Sequence, residues 1–241
     1  MYSVSVAMAA YNGEMFISEQ IDSIISQLGN NDELIISYDK SSDNTWEIIS
    51  AYQQKDARIM IFINEDPGVI GNFNNAILHC SREVIFISDQ DDVWAKCKIS
   101  RILKEFEHSE ADLIIHNGYH TDESLKPIGS SFFDGSRMGA GIIRNIIKSR
   151  YSGCCMAFTN KMKSVILPIP PDIDAYDRWI ASICEIKGRV AYLSDVLIYH
   201  RLHDNNFTPK KKRSLIVMIK ARLNLIKHLI IRLSRVRKDK K

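Results

Sequence analysis

The chain has 241 residues, of which 45% are hydrophobic and 25% charged, so it is long and apolar enough to bury a full core and wholesale disorder is excluded. Five cysteines (Cys80, Cys97, Cys154, Cys155 and Cys184), an odd number without a C-x-x-C pair, argue against a disulfide framework or a Cys-rich zinc site and favour a reducing compartment. The net charge of +3 hides an asymmetry: residues 209–241 hold 13 Lys or Arg against Asp239 alone, while residues 1–208 hold 19 basic and 28 acidic side chains. A basic tail on an acidic body calls for an anionic partner.

In chain order, Ser3 to Ala9 is a short apolar, β-prone run, read as a buried strand rather than a signal peptide because no positive region precedes it. Residues 14–28 carry Phe16, Ile17, Ile21, Ile24, Ile25 and Leu28 at helical spacing. A strand over 33–37 follows, then Ser41-Ser42-Asp43 as caps for a helix over 45–54. Strands over 58–63 and 83–88 flank a helix over 71–79, and a helix over 94–107 leads to a strand over 111–116. Residues 121–141, rich in Gly and Ser, read as loops. A helix near 142–148, an apolar segment 153–158, a stiff connector at Pro168, Pro170 and Pro171, a helix over 174–187 and strands over 189–193 and 196–199 complete the body. Strands that are continuous apolar runs, alternating with helices, predict a mainly parallel sheet covered on both faces. Ligands then bind beyond the carboxyl ends of the strands. Three polar motifs fall there: Ala10-Tyr11-Asn12-Gly13, Tyr38-Asp39-Lys40-Ser41 and Asp89-Gln90-Asp91-Asp92.

Three carboxylates within four residues, Asp89, Asp91 and Asp92, repel one another at a strand end. A divalent cation offsets such repulsion, and hard oxygen donors select Mg²⁺ or Mn²⁺. The competing reading is a solvated acidic turn that caps the following helix.

These motifs resemble glycosyltransferase family 2. Asp89-Gln90-Asp91 is similar to the D-x-D motif of the GT-A fold, and the stretches 6–13, 32–45 and 86–94 match in order. The nearest branch is the bacterial rhamnosyltransferase-like enzymes of surface polysaccharide assembly, and the resemblance spans roughly residues 2–207. It implies a nucleotide-sugar-dependent hexosyltransferase of Rossmann-like α/β fold. Its nucleotide-sugar-binding half would be 1–116 and its acceptor half 117–208. The backbone at Ala10, Tyr11 and Asn12 would line the nucleobase pocket together with Asp39. Asp89 and Gln90 would lie at the sugar nucleotide, with Asp89 facing ribose and metal waters. Asp91 would hold the metal that bridges the diphosphate. His203 matches a late Tyr-Arg-x-His-Gly-Asn-Asn segment near the diphosphate and metal. Asp177, in Tyr176-Asp177-Arg178-Trp179, matches the family's catalytic base and would deprotonate the acceptor hydroxyl, with inversion at the sugar. Asp172 and Asp174 are rivals for that role, and Asp177 could equally be a first-turn carboxylate favoured by the helix dipole. Asp39 could be a turn former and His203 a surface histidine. Tyr38, Lys40, Gly71, Tyr176 and Arg178 depart from the family's usual residues.

In the tail, Leu215, Ile219, Leu223, Ile226, Ile230 and Leu233 recur every three or four residues among Lys and Arg. This predicts a basic amphipathic helix over 209–241 that lies on an anionic membrane surface, peripheral on the cytoplasmic face. Packing against the body is the alternative. Nucleic acid fits poorly, since no aromatic residues interleave. The implied partners are a nucleotide-sugar donor and a saccharide or lipid-linked saccharide acceptor. Two further readings stay open: a non-catalytic nucleotide-binding relative that scaffolds a membrane complex, and a nucleotidyltransferase. The second wants a Gly-rich phosphate loop, and the first strand is followed by only one glycine.

Overall fold

A computed structural model of the chain describes residues 2–134, 141–147, 152–203 and 214–238. The first half follows the expected alternation: β1 (Val4–Ala10), α1 (Ile17–Ile25), β2 (Glu33–Tyr38), α2 (Thr45–Lys55), β3 (Ile59–Ile63), α3 (Val69–His79) and β4 (Val84–Ser88). The four strands lie in the order β3-β2-β1-β4 and all pair in parallel. Their unbroken apolar runs have a simple cause, because successive side chains face opposite sides and both sides are covered. Val4, Val6 and Met8 of β1 join Ile17, Ile21 and Ile24 of α1 and Ile49 of α2. Ala7 between them joins Phe73, Ala76 and Ile77 of α3. In β4, Val84 and Phe86 divide from Ile85 and Ile87 in the same way.

Register then places the chemistry. Ala10 pairs with Tyr38 and Met8 with Ser88, so β1, β2 and β4 finish along one edge of the sheet. The loops that begin at Tyr11, Asp39 and Asp89 leave from that edge.

The second half comprises β5 (Val93–Trp94), α4 (Lys98–Ser109), β6 (Leu113–Thr121), β7 (Pro127–Ser131), α5 (Ile142–Ile147), β8 (Met156–Thr159), α6 (Lys163–Ile166), α7 (Tyr176–Lys187), β9 (Val190–Arg201) and α8 (Leu215–Lys238). It continues the sheet as β4-β8-β6-β9-β5, with β7 on β6, giving nine strands among the described residues. β8 runs antiparallel to both β4 and β6, while β6 and β9 are parallel. The sheet is parallel where the three polar motifs sit and mixed beyond.

Several elements differ from their sequence reading. The segment 121–141 contains the edge strand β7, opened by Pro127, whose missing N–H is harmless at an edge. The two expected strands after α7 are one, β9. Its partner register on β6 jumps from His116–Leu193 to Asn117–Val196, so Ser194 and Asp195 form a bulge between the two expected segments. Val93 and Trp94 pair with β9 before α4 begins, which delays that helix to Lys98. All five cysteines are free, and four of them are buried. The expected boundary at residues 208 and 209 and the residues Asp204, Asn205 and Asn206 lie outside the described residues.

α8 packs on the body through Leu225 and Leu229, which are buried with Ile166, Ile169, Ile173 and Trp179. Leu215, Ile219, Leu223, Ile226 and Ile230 of the sequence stripe remain exposed. Among the described residues no helix is long and apolar enough to cross a membrane.

Gly71, one of the departures from the pattern of the family the sequence resembles, lies in the first turn of α3. A Cβ added there would stand 1.8 Å from the Asp66 carbonyl oxygen, so the preceding turn already fills that space. Gly71→Ala is expected to destabilise the protein by about 1–3 kcal/mol in urea melts through this overpacking; an unchanged midpoint would contradict the fitted turn.

Candidate active site

The loop after β1 is stitched to both neighbouring loops. The Gln90 side-chain amide bonds both backbone groups of Tyr11: the Tyr11 N–H donates to Oε1 at 2.8 Å, and Nε2 donates to the Tyr11 carbonyl at 2.7 Å. Gly13 lets Gln90 reach across, since a Cβ there would lie 2.4 Å from Oε1. Asn12, in the left-handed region at φ 48°, accepts the Ser42 N–H on its Oδ1 at 2.9 Å. The Glu14 N–H donates to Asp43 at 3.0 Å, and the Thr45 hydroxyl and N–H donate to the other Asp43 oxygen at 2.5 and 3.1 Å. Burial acts to raise the Asp43 carboxyl, but these bonds outweigh it and hold the group below its usual range.

Asp39 is buried at the end of β2. Asn64 Nδ2 donates to one of its oxygens at 2.6 Å and the Gly68 N–H to the other at 2.9 Å, so the turn that fills the Gly71 space also closes over Asp39. The Ala10 carbonyl accepts the Asp39 N–H at 2.9 Å and Asn72 Nδ2 at 3.1 Å. Tyr38, unusual for the family, gives its hydroxyl to the Ser41 N–H as acceptor at 3.0 Å.

The three carboxylates after β4 go three ways. Asp91 meets His203, with Nε2 to Oδ2 at 3.0 Å, on the wall of a pocket of about 340 Å³ whose other lining residues are Tyr11, Asn12, Gly13, Met15, Phe16 and Gln90. Asp92, fully buried, bonds His200 Nδ1 at 2.8 Å and accepts the Arg201 N–H at 3.2 Å. Burial opposes charge on His200, but Asp92 prevails and raises the imidazole to about 12, so His200 is the cation of this pair. Asp89 faces Tyr176, whose hydroxyl lies 3.4 Å from its Oδ1. Burial, with the charges of Cys154, Asp92 and Asp91 behind it, pushes the Asp89 carboxyl well above its usual range.

Two buried cations serve this cluster, and neither figures among the residues singled out in the sequence. Lys98, at the start of α4, is fully buried over the Trp94 ring at 4.0 Å and donates to the Cys154 carbonyl at 2.8 Å. Burial lowers it to about 8, against the pull of Cys155, Cys154, Asp92 and Asp89. Arg201, at the end of β9, donates to the Asp91 carbonyl at 3.1 Å, to the Glu123 carbonyl at 2.5 Å and to Glu19 of α1, and it lies over the Phe16 ring at 4.4 Å. The available signal was the polar end of an apolar strand: buried carboxylates need a cation, and Arg201 closes β9.

Tyr11, Asn12, Gln90, Asp91 and His203 therefore share one pocket. Ala10, Asp39, Asp89 and Asp177 are not among its lining residues. Asp177 opens α7 next to Tyr176 and accepts the Arg178 N–H at 2.6 Å. Burial raises its carboxyl to about 6, opposed by Arg178 and assisted by Asp174 and Cys154. Asp91 and His203 offer oxygen and imidazole donors on an accessible wall, a set that suits Mn²⁺ or Mg²⁺ beside an anionic ligand. Asp92, Cys154 and His200 form a second donor group, all within 4.8 Å of one another, behind it.

A sheet of this order, helices on both faces and an acidic loop beyond a central parallel strand define the GT-A class of nucleotide-sugar-binding folds. The profile of Glycosyl transferase family 2 matches residues 5–164, and the chain belongs to that family. The Escherichia coli UDP-Glc:alpha-D-GlcNAc-diphosphoundecaprenol beta-1,3-glucosyltransferase WfaP is 29% identical over 218 residues, covering 90% of this chain and 84% of its own. Among solved structures, S. aureus TarS 1-349 in complex with UDP-GlcNAc superposes with a TM-score of 0.71 at 18% identity, over 92% of this chain and 64% of that one. The mannosyltransferase PcManGT from Pyrobaculum calidifontis, in complex with GDP-Man and Mn2+, gives 0.61 at 17% identity, over 87% and 58%. The chain spans 66% and 40% of the lengths of two other curated relatives it matches.

A buried carboxyl with a raised pKa favours folding while it is protonated, and that contribution is lost as pH rises from about 4 to about 6. Asp177→Asn is therefore expected to raise Tm at pH 8 relative to the unsubstituted protein, with the gain vanishing below pH 4. Equal Tm values at pH 8 would contradict the burial of a charged Asp177.

Proposed function

We propose that this protein is an inverting, metal-dependent glycosyltransferase that moves a sugar from a nucleotide-sugar donor to a hydroxyl of a lipid-linked saccharide in surface polysaccharide assembly. The observation that carries the reading is the Asp91–His203 pair on the wall of a pocket roofed by the Gln90-locked Tyr11 loop, at the carboxyl ends of parallel strands. Family membership and the donors named for WfaP, TarS and PcManGT support it.

The nucleobase would rest against Tyr11 and Asn12 near Asp39, and the ribose near Asp89 and Gln90. A divalent ion held by Asp91 and His203 would act as a Lewis acid on the departing diphosphate. Asp177 would accept the proton of the attacking hydroxyl, and a carboxyl raised to about 6 is ionised yet basic near neutral pH. Attack from the face opposite the diphosphate inverts the anomeric carbon. Residues 1–208 would form the catalytic body. Residues 209–241 would hold it peripherally on the cytoplasmic face of an anionic membrane, since the exposed stripe of α8 is flanked by Lys220, Lys227 and Arg235.

The direct test is nucleoside diphosphate release from a panel of nucleotide sugars, starting with UDP-glucose and UDP-N-acetylglucosamine, offered with Mn²⁺ and a GlcNAc-diphosphate-lipid acceptor. Asp91→Asn and Asp177→Asn are each expected to lower kcat by about 10²–10⁴-fold. Full activity in both variants would remove the residue roles, and no turnover of any donor would leave the non-catalytic relative as the better reading.

A further inference from the structure

Asp177 stands at the second residue of α7, and the chain that delivers it is held by α8. Arg232 donates to the carbonyls of Val165, Leu167 and Pro168 at 2.7, 2.6 and 2.6 Å, which fixes the end of α6 and the connector behind it. Further along, Asn224 Nδ2 donates to the Asp172 carbonyl at 2.8 Å, and His228 Nε2 lies 2.8 Å from the Asp172 carboxylate. Arg222 reaches Asp174 at 3.4 Å. Asp174 also takes Arg178 Nη1 on both its oxygens at 2.8 Å, and the N–H of that same Arg178 binds Asp177. A continuous set of polar contacts thus runs from α8 to the candidate base. Meanwhile the apolar stripe at Leu215, Ile219, Leu223, Ile226 and Ile230 on α8 stays exposed.

We propose that α8 is a positioning element for the active site: Arg222 on one side of the buried Leu225 and Leu229, and Asn224 with His228 on the other, clamp residues 172–174 and thereby set where Asp177 stands. The inference rests on the reading of Asp177 as general base. Its physical basis is the sensitivity of proton transfer to placement, since a base displaced by an ångström is largely lost to the reaction. Charge acts in the same direction. The groups that bear on Asp177 are Arg178, Asp174 and Cys154, and Arg222 offsets Asp174. The exposed stripe lies away from the buried Leu225 and Leu229, so stripe and clamp can be varied separately.

The test uses the full chain and the donor turned over in the panel above, with a water-soluble short-chain acceptor. Arg222→Ala combined with His228→Ala is expected to lower kcat roughly ten- to a hundredfold with KM for the donor unchanged. The acid limb of the kcat profile should move to higher pH, because Asp174 then faces Asp177 with less compensation. Arg222→Lys alone should keep both kcat and the limb. Ile219→Ser with Leu223→Ser, on the exposed stripe, should keep kcat on the soluble acceptor and lose sedimentation with phosphatidylglycerol vesicles. The inference is overturned if the Arg222 and His228 double variant keeps kcat and the unshifted limb while Asp177→Asn is inactive, or if the stripe variant loses kcat to the same extent. Full activity of Asp177→Asn would instead overturn the base reading itself.

Discussion

Three carboxylates in four residues at the end of a buried strand form an electrostatic problem, and the surrounding architecture is arranged around its solution. Each acid is handled separately. Asp92 is neutralised by the His200 imidazolium, Asp89 is held where its neutral form is favoured and meets the Tyr176 hydroxyl, and Asp91 alone stands on a pocket wall with an imidazole beside it. Lys98 and Arg201 supply buried positive charge from α4 and β9. A buried ionised group without such partners costs several kcal/mol, so the mixed second half of the sheet, which brings these cations in, is as necessary to the site as the parallel half that carries the acids.

The loops at this edge are held by side chains rather than by further strand pairing. Gln90 occupies both backbone groups of Tyr11, Asn12 ties to Ser42, and Asn64 with Gly68 closes over Asp39. This explains two departures from the family pattern in physical terms. Gly71 accommodates the Asp66 carbonyl, and the Tyr38 hydroxyl braces its own turn. Both are local fittings of the loops at this sheet edge, which keep donors and acceptors within a preorganised frame.

The parallel half was readable in the sequence because burial on both faces leaves unbroken apolar runs, and the polar residues directly after them marked the site edge. Asp91 and His203, 112 positions apart, were paired by family resemblance and not by local pattern. The rest was hidden for identifiable reasons. The Ser194–Asp195 bulge imitates a turn, β7 is too polar to read as a strand, and Lys98 looks like any surface lysine on an amphipathic helix. The helical stripe of α8 was legible, but not that Leu225 and Leu229 beside it face the body.

The most direct measurement is anomalous X-ray scattering from crystals grown with Mn²⁺ and UDP. The expected result is one strong manganese peak against the Asp91 carboxylate and His203, bridging to the diphosphate. A peak among Asp92, Cys154 and His200 instead, or UDP bound with no metal near Asp91, would contradict the division of labour among the three acids.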